Sequence, residues 1–421
     1  MPTPSDTSDR AEVARGPSGA LASTVPIFDR LGSVYGYDVD FRSGLEAELD
    51  GGRAPDAEDE AGADLWEVLG LDEIVGLGRA HVAFSRELIL RGVPRLLPPA
   101  SLVVGVPGDA DEDQGLIDAC HALRDAGYEL AVDDFHPDQI DSLLLAPGDI
   151  VRVDVEEVDE GGQRALCEGL PALGVRPLAK GVDTPERHAR AREAGYWYFQ
   201  GEFFRRPALE PGREVRTSQV HYLALLEEVN KPELAYDELE GLIRRDVAMT
   251  YGLLRFINSV WFGLKCRVGS IRHALVLLGP REMKLWASML MLRQLGEGRP
   301  RELFRRCLIR AKLAESLAPA AGLGSQEREL FLMGMLSLVE ALTGVPLARV
   351  LSGLPVEEAI KQALLTQSGR HGAVCRVVRA CEMGRWEAFS AAAAALGVGE
   401  GAVPAMVRSA CAWADRALES L

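Results

Sequence analysis

The sequence predicts an α/β domain, built as a (β/α) barrel, followed by an all-α domain. Three observations lead there. Between Thr24 and Pro207 short apolar or β-branched runs alternate with helical patterns. After Pro207, glycines and β-branched runs thin out and long segments carry apolar residues at spacings of three and four. At 421 residues and 47% hydrophobic, the chain is long enough for two cores.

Taken in order, the first twenty-two residues are rich in Pro, Ser, Asp and Gly and read as a disordered tail, residues 1–22. The first domain is then expected over 23–208. Its strand candidates are VPIFDR, VYGYDVDF, HVAFS, SLVVGV, ELAVDDF, DIVRVDV, VRPLAKGV and YWYFQG. The stretch from Asp50 to Asp64 reads as an acidic surface loop. Helical stretches such as GLIDACHALRDAGY and TPERHARAREAGY lie between the later strands, each ending in a glycine suited to a helix C-cap. Strand, helix and strand in repetition imply a parallel sheet, and with this many units a barrel. The span is shorter than the roughly 250 residues of a full eight-unit barrel, so some units are expected to be reduced or missing.

The second domain is expected over 209–421. YDELEGLIRRDVAMTYGLLRFINS, PREMKLWASMLMLRQL and ELFRRCLIRAKLAESLA are its clearest helices, and AFSAAAAALG, near Ala388, reads as core or as a terminal helix. The Asn258-Ser259 turn and Arg255 are expected to serve the fold.

A net charge of −17 disfavours binding of nucleic acid or anionic membrane by the whole surface. The first residues lack the basic and apolar regions of a leader, and no apolar run reaches the roughly 18 residues of a membrane span, so a cytoplasmic location is expected. The seven cysteines are scattered without a C-x-x-C pair, which indicates buried thiols rather than a disulfide framework or zinc knuckle. Charge is unevenly spread: Gly241 to Lys312 holds 15 Lys or Arg against four Asp or Glu. Arg305, Arg306 and Arg310 are therefore a candidate basic partner surface. The alternatives are a face whose arginines pair with the acidic first domain, or a solvated face. No aromatic or glycine pattern of a nucleic-acid module accompanies the charge.

In a barrel, functional groups gather at the C-terminal ends of the strands. Those ends carry Asp38, Asp133, Asp134, Asp154, Asp183 and Gln200, an acidic rim with the oxygen donors of a hard cation. Turn and cap roles are the competing reading for each aspartate.

The series VPIFDRLGSVYGYDVDFR, ELAVDDF, DIVRVDV, LAKGVDT and YFQGEFFRRP resembles the EAL family of cyclic di-GMP phosphodiesterases. That resemblance implies two divalent metals held by carboxylates and an amide, with a lysine assisting the attacking water. On this pattern the glutamate of the naming motif falls on Asp38, the asparagine ligand on Ala83 and a further glutamate on Gly105. Asp133 and Asp134 keep the paired aspartates, with His136 in place of the following glycine. The lysine falls on Arg152, whose guanidinium cannot take a proton from water. A glutamate falls on Lys180, a cation opposing metal, with Asp183 at the second acidic position. Gln200 is kept. The expectation is a degenerate TIM-like (β/α) barrel with a vestigial site of Asp38, Asp133, Asp134, Arg152, Asp154, Lys180, Asp183 and Gln200, and with no catalytic residue, metal or cofactor. Arg152 and Lys180 are expected either to clamp phosphates or to pair with Asp133, Asp134 and Asp154, the second being preferred.

From Leu234 to Arg293 the chain resembles the HDOD family, through L-L-R-x-I-N-S and S-I-x-x-A-L-x-L-L-G, with the likeness reaching about Trp386. The resemblance implies a helical, HD-related domain without its metals. Consistent with that, His221, His273 and His371 are not followed by Asp, and Ser337 to Glu340 stand where an HD enzyme would place its pair. An EAL-like module followed by HDOD is a recurring arrangement. The combined expectation is a non-catalytic cytoplasmic signalling scaffold or adaptor whose partner is another signalling protein. A cyclic di-GMP receptor without hydrolysis is the alternative, and a cyclic di-GMP phosphodiesterase stands third; neither membrane nor nucleic acid is the expected partner.

Overall fold

The computed structural model describes residues 20–45, 65–67, 69–109, 113–205, 225, 228–229, 235–258, 267–295, 298–352 and 356–420. Eight strands close a barrel in sequence order: β1 (Ala22–Asp29), β2 (Val34–Phe41), β3 (Arg79–Ala83), β4 (Leu102–Pro107), β5 (Glu129–Asp133), β6 (Ile150–Asp154), β7 (Arg176–Lys180) and β8 (Tyr198–Gln200). All eight expected runs are strands. The reduced unit is the first: β1 turns back directly into β2, with the Asp29 carboxylate accepting the Leu31 and Ser33 N–H groups. β1 is consequently antiparallel to both β2 and β8, and the remaining pairs are parallel. The parallel sheet expected from the repeated pattern is thus interrupted at one strand, and the short span is explained by a hairpin that needs no crossover helix.

Helices on the barrel among the described residues include α1 (Leu71–Val75), α2 (Arg86–Leu90), α3 (Gln114–Asp125), α4 (Glu160–Gly169) and α5 (Pro185–Ala194). Ser85, Asp113, Asp159 and Thr184 cap the last four, each side chain accepting an N–H of the first turn. Side chains alternate across each strand. One set packs inward as a small apolar layer, Ile27, Val103, Ala131, Ile150, Leu178 and Tyr198; the other packs outward. In β2 the register slips by one residue at Tyr35. Tyr35 therefore stacks on Tyr198 inside the barrel while Tyr37 faces out.

Eleven helices follow among the described residues. They are α6 (Tyr236–Arg244), α7 (Val247–Ile257), α8 (Ile271–Leu295), α9 (Arg301–Leu317), α10 (Glu327–Leu336), α11 (Val339–Thr343), α12 (Leu347–Ser352), α13 (Glu358–Thr366), α14 (Gly369–Glu382), α15 (Trp386–Leu396) and α16 (Val403–Ser420). α8 breaks at Gly279, whose φ of 67° lies in the left-handed region and precedes Pro280. Asn258 ties the end of α7 to Val268 through bonds in both directions, and Arg255 donates to the Glu419 carbonyl, so both serve the fold. The alanine-rich stretch is α15, with Phe389, Ala392, Ala393 and Leu396 buried.

Leu21, Phe28 and Phe204 of the barrel belong to the same apolar core as the helices. Ala20 and Leu21 are buried and β1 begins at Ala22, so the expected tail does not reach residue 22; the rest of it, the acidic loop and the 208/209 boundary lie outside the described residues. The six described cysteines are free and buried, and burial pushes the Cys307 thiol up to about 12. No single described helix is long and apolar enough to cross a membrane.

α9 and α10 touch backbone to backbone at Gly334, where a Cβ would lie 2.4 Å from Ala311 Cα and 2.5 Å from the Arg310 carbonyl oxygen. Gly334→Ala is expected to destabilise the chain by about 1–3 kcal/mol through overpacking, read as a lower urea midpoint.

Candidate functional site

At the C-terminal mouth of the barrel one guanidinium collects three partners. Arg152, on β6 and 5% exposed, donates through Nη1 to Asp133 Oδ1 at 2.9 Å and through Nη2 to Asp38 Oδ2 at 2.8 Å and Gln200 Oε1 at 3.0 Å. Gln200 Nε2 closes the ring by donating to Asp38 Oδ2 at 2.7 Å. Strands β2, β5, β6 and β8 thus each send one inward side chain to a common point. Burial pushes the Asp133 carboxyl up to about 6, against the pull of Arg152. The guanidinium stays charged: burial works against it, and Asp38 and Asp133 together raise its pKa.

At the rim, Lys180 Nζ bonds Asp134 Oδ1 at 2.8 Å and holds that carboxyl below its ordinary value. Asp134 itself takes a φ of 48°, a left-handed conformation that Asp tolerates. Neither cation reaches Asp154 among the described ion pairs. Asp154 instead accepts the Glu156 N–H, and Asp183 accepts the Glu202 N–H, so these two shape turns. His136 opens a turn, its N–H donating to Gln139 Oε1.

Two positions empty of donors complete the mouth. Ala83 has no polar side chain, and at Gly105 even a Cβ would sit 2.8 Å from Asp133 Oδ2 and 3.0 Å from Ala83 Cα. The residues present do not fit a pair of divalent ions: Asp38, Asp133 and Gln200 are turned onto a guanidinium, and Asp134 onto an ammonium. Among the described residues no group of three or more His, Cys, Asp or Glu could hold a metal. Both Nη groups of Arg152 are engaged by protein acceptors, the pairing preferred over a phosphate clamp. Sequence reasoning passed over His81, two residues before Ala83 on β3. It is wholly buried inside the barrel, and burial, then Arg152 and Arg79, drive its pKa well down, so the imidazole is neutral. The one available signal was its place on the inward alternation of HVAFS.

Arg305, Arg306 and Arg310 do not form an outward basic surface. They are 6%, 3% and 5% exposed, because α9 lies between the barrel and the other helices. Arg305 pairs with Asp415 of α16 at 2.6 Å and donates to the Ile74 carbonyl of the barrel at 2.9 Å. Arg306 bonds Glu302 at 2.7 Å and, through Nη2, the Thr24 carbonyl at 2.9 Å. Arg310 bonds Glu382 at 2.6 Å. Glu382, on α14, also meets Arg306 at 3.6 Å and Arg205, which follows β8. Burial would raise the Glu382 carboxyl, but Arg205, Arg310 and Arg306 hold it down at about 2. The charges of these three arginines are paired within the chain.

Comparison with known proteins assigns both halves. Residues 80–207 match the EAL domain and residues 217–386 match the HDOD domain. The protein YuxH of Bacillus subtilis (strain 168) is 30% identical over 377 residues, covering 87% of this chain and 91% of its own. The chain belongs to the EAL–HDOD family. Cyclic di-GMP phosphodiesterase CdgJ of Vibrio cholerae is 29% identical over 321 residues, covering 76% of this chain and 74% of its own. Among solved structures, an EAL domain protein from Listeria monocytogenes EGD-e is 18% identical with a TM-score of 0.32, over 44% of this chain and 87% of that one. The Klebsiella pneumoniae BlrP1 calcium/cy-diGMP complex is 17% identical with a TM-score of 0.35, over 45% and 56%. The EAL match begins inside β3, so the β1–β2 hairpin and Asp38 precede it. The HDOD match ends at the first residue of α15, so α16, with Asp415, lies beyond it.

Replacing Arg152 with Met leaves Asp38 and Asp133 buried without a cation and is expected to cost about 3–5 kcal/mol, measured by urea denaturation; Arg152→Lys, which cannot span all three partners, falls between. For Glu382 the folded value of about 2 lies below the ordinary 4.5. Its contribution is therefore complete above pH 4.5 and lost as pH falls towards 2, about 3 kcal/mol in all. Urea midpoints measured from pH 6 down to pH 2 should show that loss, and Glu382→Gln should flatten it while lowering stability at pH 6.

Proposed function

We propose that this EAL–HDOD chain is a non-catalytic cytoplasmic signalling adaptor of a cyclic di-GMP pathway, acting through protein contacts. The observation that carries the reading is Arg152: a permanently charged guanidinium, bonded to Asp38, Asp133 and Gln200, occupies the place where hydrolysis would need metal and a base. A base that cannot deprotonate and carboxylates already neutralised give an attacking water no activation. Retention of two folds without their chemistry supports a role for their surfaces.

Binding without hydrolysis is the second reading, favoured by Lys180. Its ammonium is partly exposed at the rim and is held by Asp134, which is itself 72% exposed, so a phosphate can displace that carboxylate. The name of the relative CdgJ speaks for hydrolysis, and the assay must admit that outcome.

Purified full-length chain incubated with cyclic di-GMP and Mg²⁺ or Mn²⁺ is expected to release no hydrolysis product, and calorimetric titration with the dinucleotide is expected to show no heat of binding. Heat without turnover would replace the adaptor by the receptor, and turnover would overturn both. Under the adaptor reading, affinity capture from the native cell recovers a reproducible protein partner.

A further inference from the structure

The mouth of the barrel and the docking surface of the HDOD domain are the two faces of one piece of sheet. On β2, Asp38 points in and bonds Arg152, while its neighbour Tyr37 points out and donates to Glu302 Oε2 of α9 at 2.7 Å. The Arg305 guanidinium lies 5.1 Å over the same tyrosine ring. On β8, Gln200 points in and bonds Asp38; a few residues on, Arg205 pairs with Glu382 on α14. β1 runs between them, antiparallel to both, and its Thr24 accepts Arg306 through the carbonyl at 2.9 Å and through Oγ1 at 3.0 Å. The Asp38–Gln200 bond therefore spans β1 on the inside, and α9 grips β1 and β2 on the outside.

We infer that this β8–β1–β2 wall couples the two domains: the ring around Arg152 favours the wall curvature that α9 docks on, and disturbing the ring loosens α9 although the two share no direct contact. The physical ground is that neither face yields by degrees. Tyr37 is buried against α9 and Arg306 of α9 is buried against β1, so a shift of β1 or β2 takes Glu302 from the one and Thr24 from the other. Packed interfaces of this kind respond by undocking rather than by stretching. The coupling is reciprocal, so the HDOD domain sets the mouth as much as the mouth sets the HDOD domain. It goes beyond the adaptor reading and holds equally if the mouth binds or hydrolyses a nucleotide.

Amide hydrogen exchange on the full-length chain tests it. Asp38→Asn, which weakens the ring and keeps its shape, is expected to speed exchange in α9 by about ten-fold. Tyr37→Phe should do the same, and the double variant should show less than the product of the two. Tyr35→Phe, which breaks a hydrogen bond to Glu129 at the opposite end of the barrel, is the control and should leave α9 unchanged. Wild-type exchange in α9 of Asp38→Asn overturns the inference, and so does an equal acceleration in Tyr35→Phe, which would mean general loosening. Should Asp38→Asn fail to fold, Glu302→Gln is read from the other side: faster exchange in β5 and β6 supports the coupling, and unchanged exchange there overturns it.

Discussion

A guanidinium keeps its proton wherever the chain buries it, so a buried arginine is costly unless acceptors gather around it. That constraint organises this molecule twice. At the barrel mouth it draws Asp38, Asp133 and Gln200 from three strands onto Arg152. Between the domains it draws Glu302, Glu382 and Asp415, with the Thr24 and Ile74 carbonyls, onto the arginines of α9. The two clusters meet on opposite faces of β2, through Asp38 inside and Tyr37 outside. The shape of the mouth is set by a charge the protein carries on its own side chain, and the seat of the helical domain is set by the same means.

The elements were legible because each depends on local pattern. Eight apolar runs marked eight strands, and spacings of three and four marked the helices, as did Gly195, which ends α5 in a left-handed conformation. The direction of β1 was not legible, because a strand's partners lie outside its own residues. Arg305, Arg306 and Arg310 were misplaced for a similar reason. A count of charges records sign and density, whereas burial depends on what lies opposite, and α9 is covered on several sides at once. In the mouth, the lack of a side-chain donor at Ala83 and Gly105 was visible in the residues themselves. That Arg152 would satisfy all three of its neighbours, and that Asp154 and Asp183 would turn to backbone N–H groups, required coordinates.

Two family names divide the chain more cleanly than its packing does. Phe28 and Phe204, at opposite ends of the barrel sequence, lie in the helical core. Arg408 of α16 pairs with Glu73 of α1 at 3.0 Å, and Arg42 reaches Glu400 at 2.7 Å. The EAL and HDOD parts are better regarded as two folds sharing one interior than as beads on a string.

Tyr37 and Glu302 meet across 265 residues of sequence, and that distance has a meaning for how the protein is made. Ribosomal synthesis delivers the barrel first, with the outer faces of β1 and β2 bare of the helix that will cover them. For the time needed to add the helical half, an antiparallel strand carrying Phe28 stands open to solvent and to other chains. The charged seat of α9 is thus completed only once Glu382 and Asp415 have been made, and the stage at which assembly is most exposed to aggregation falls just before it closes.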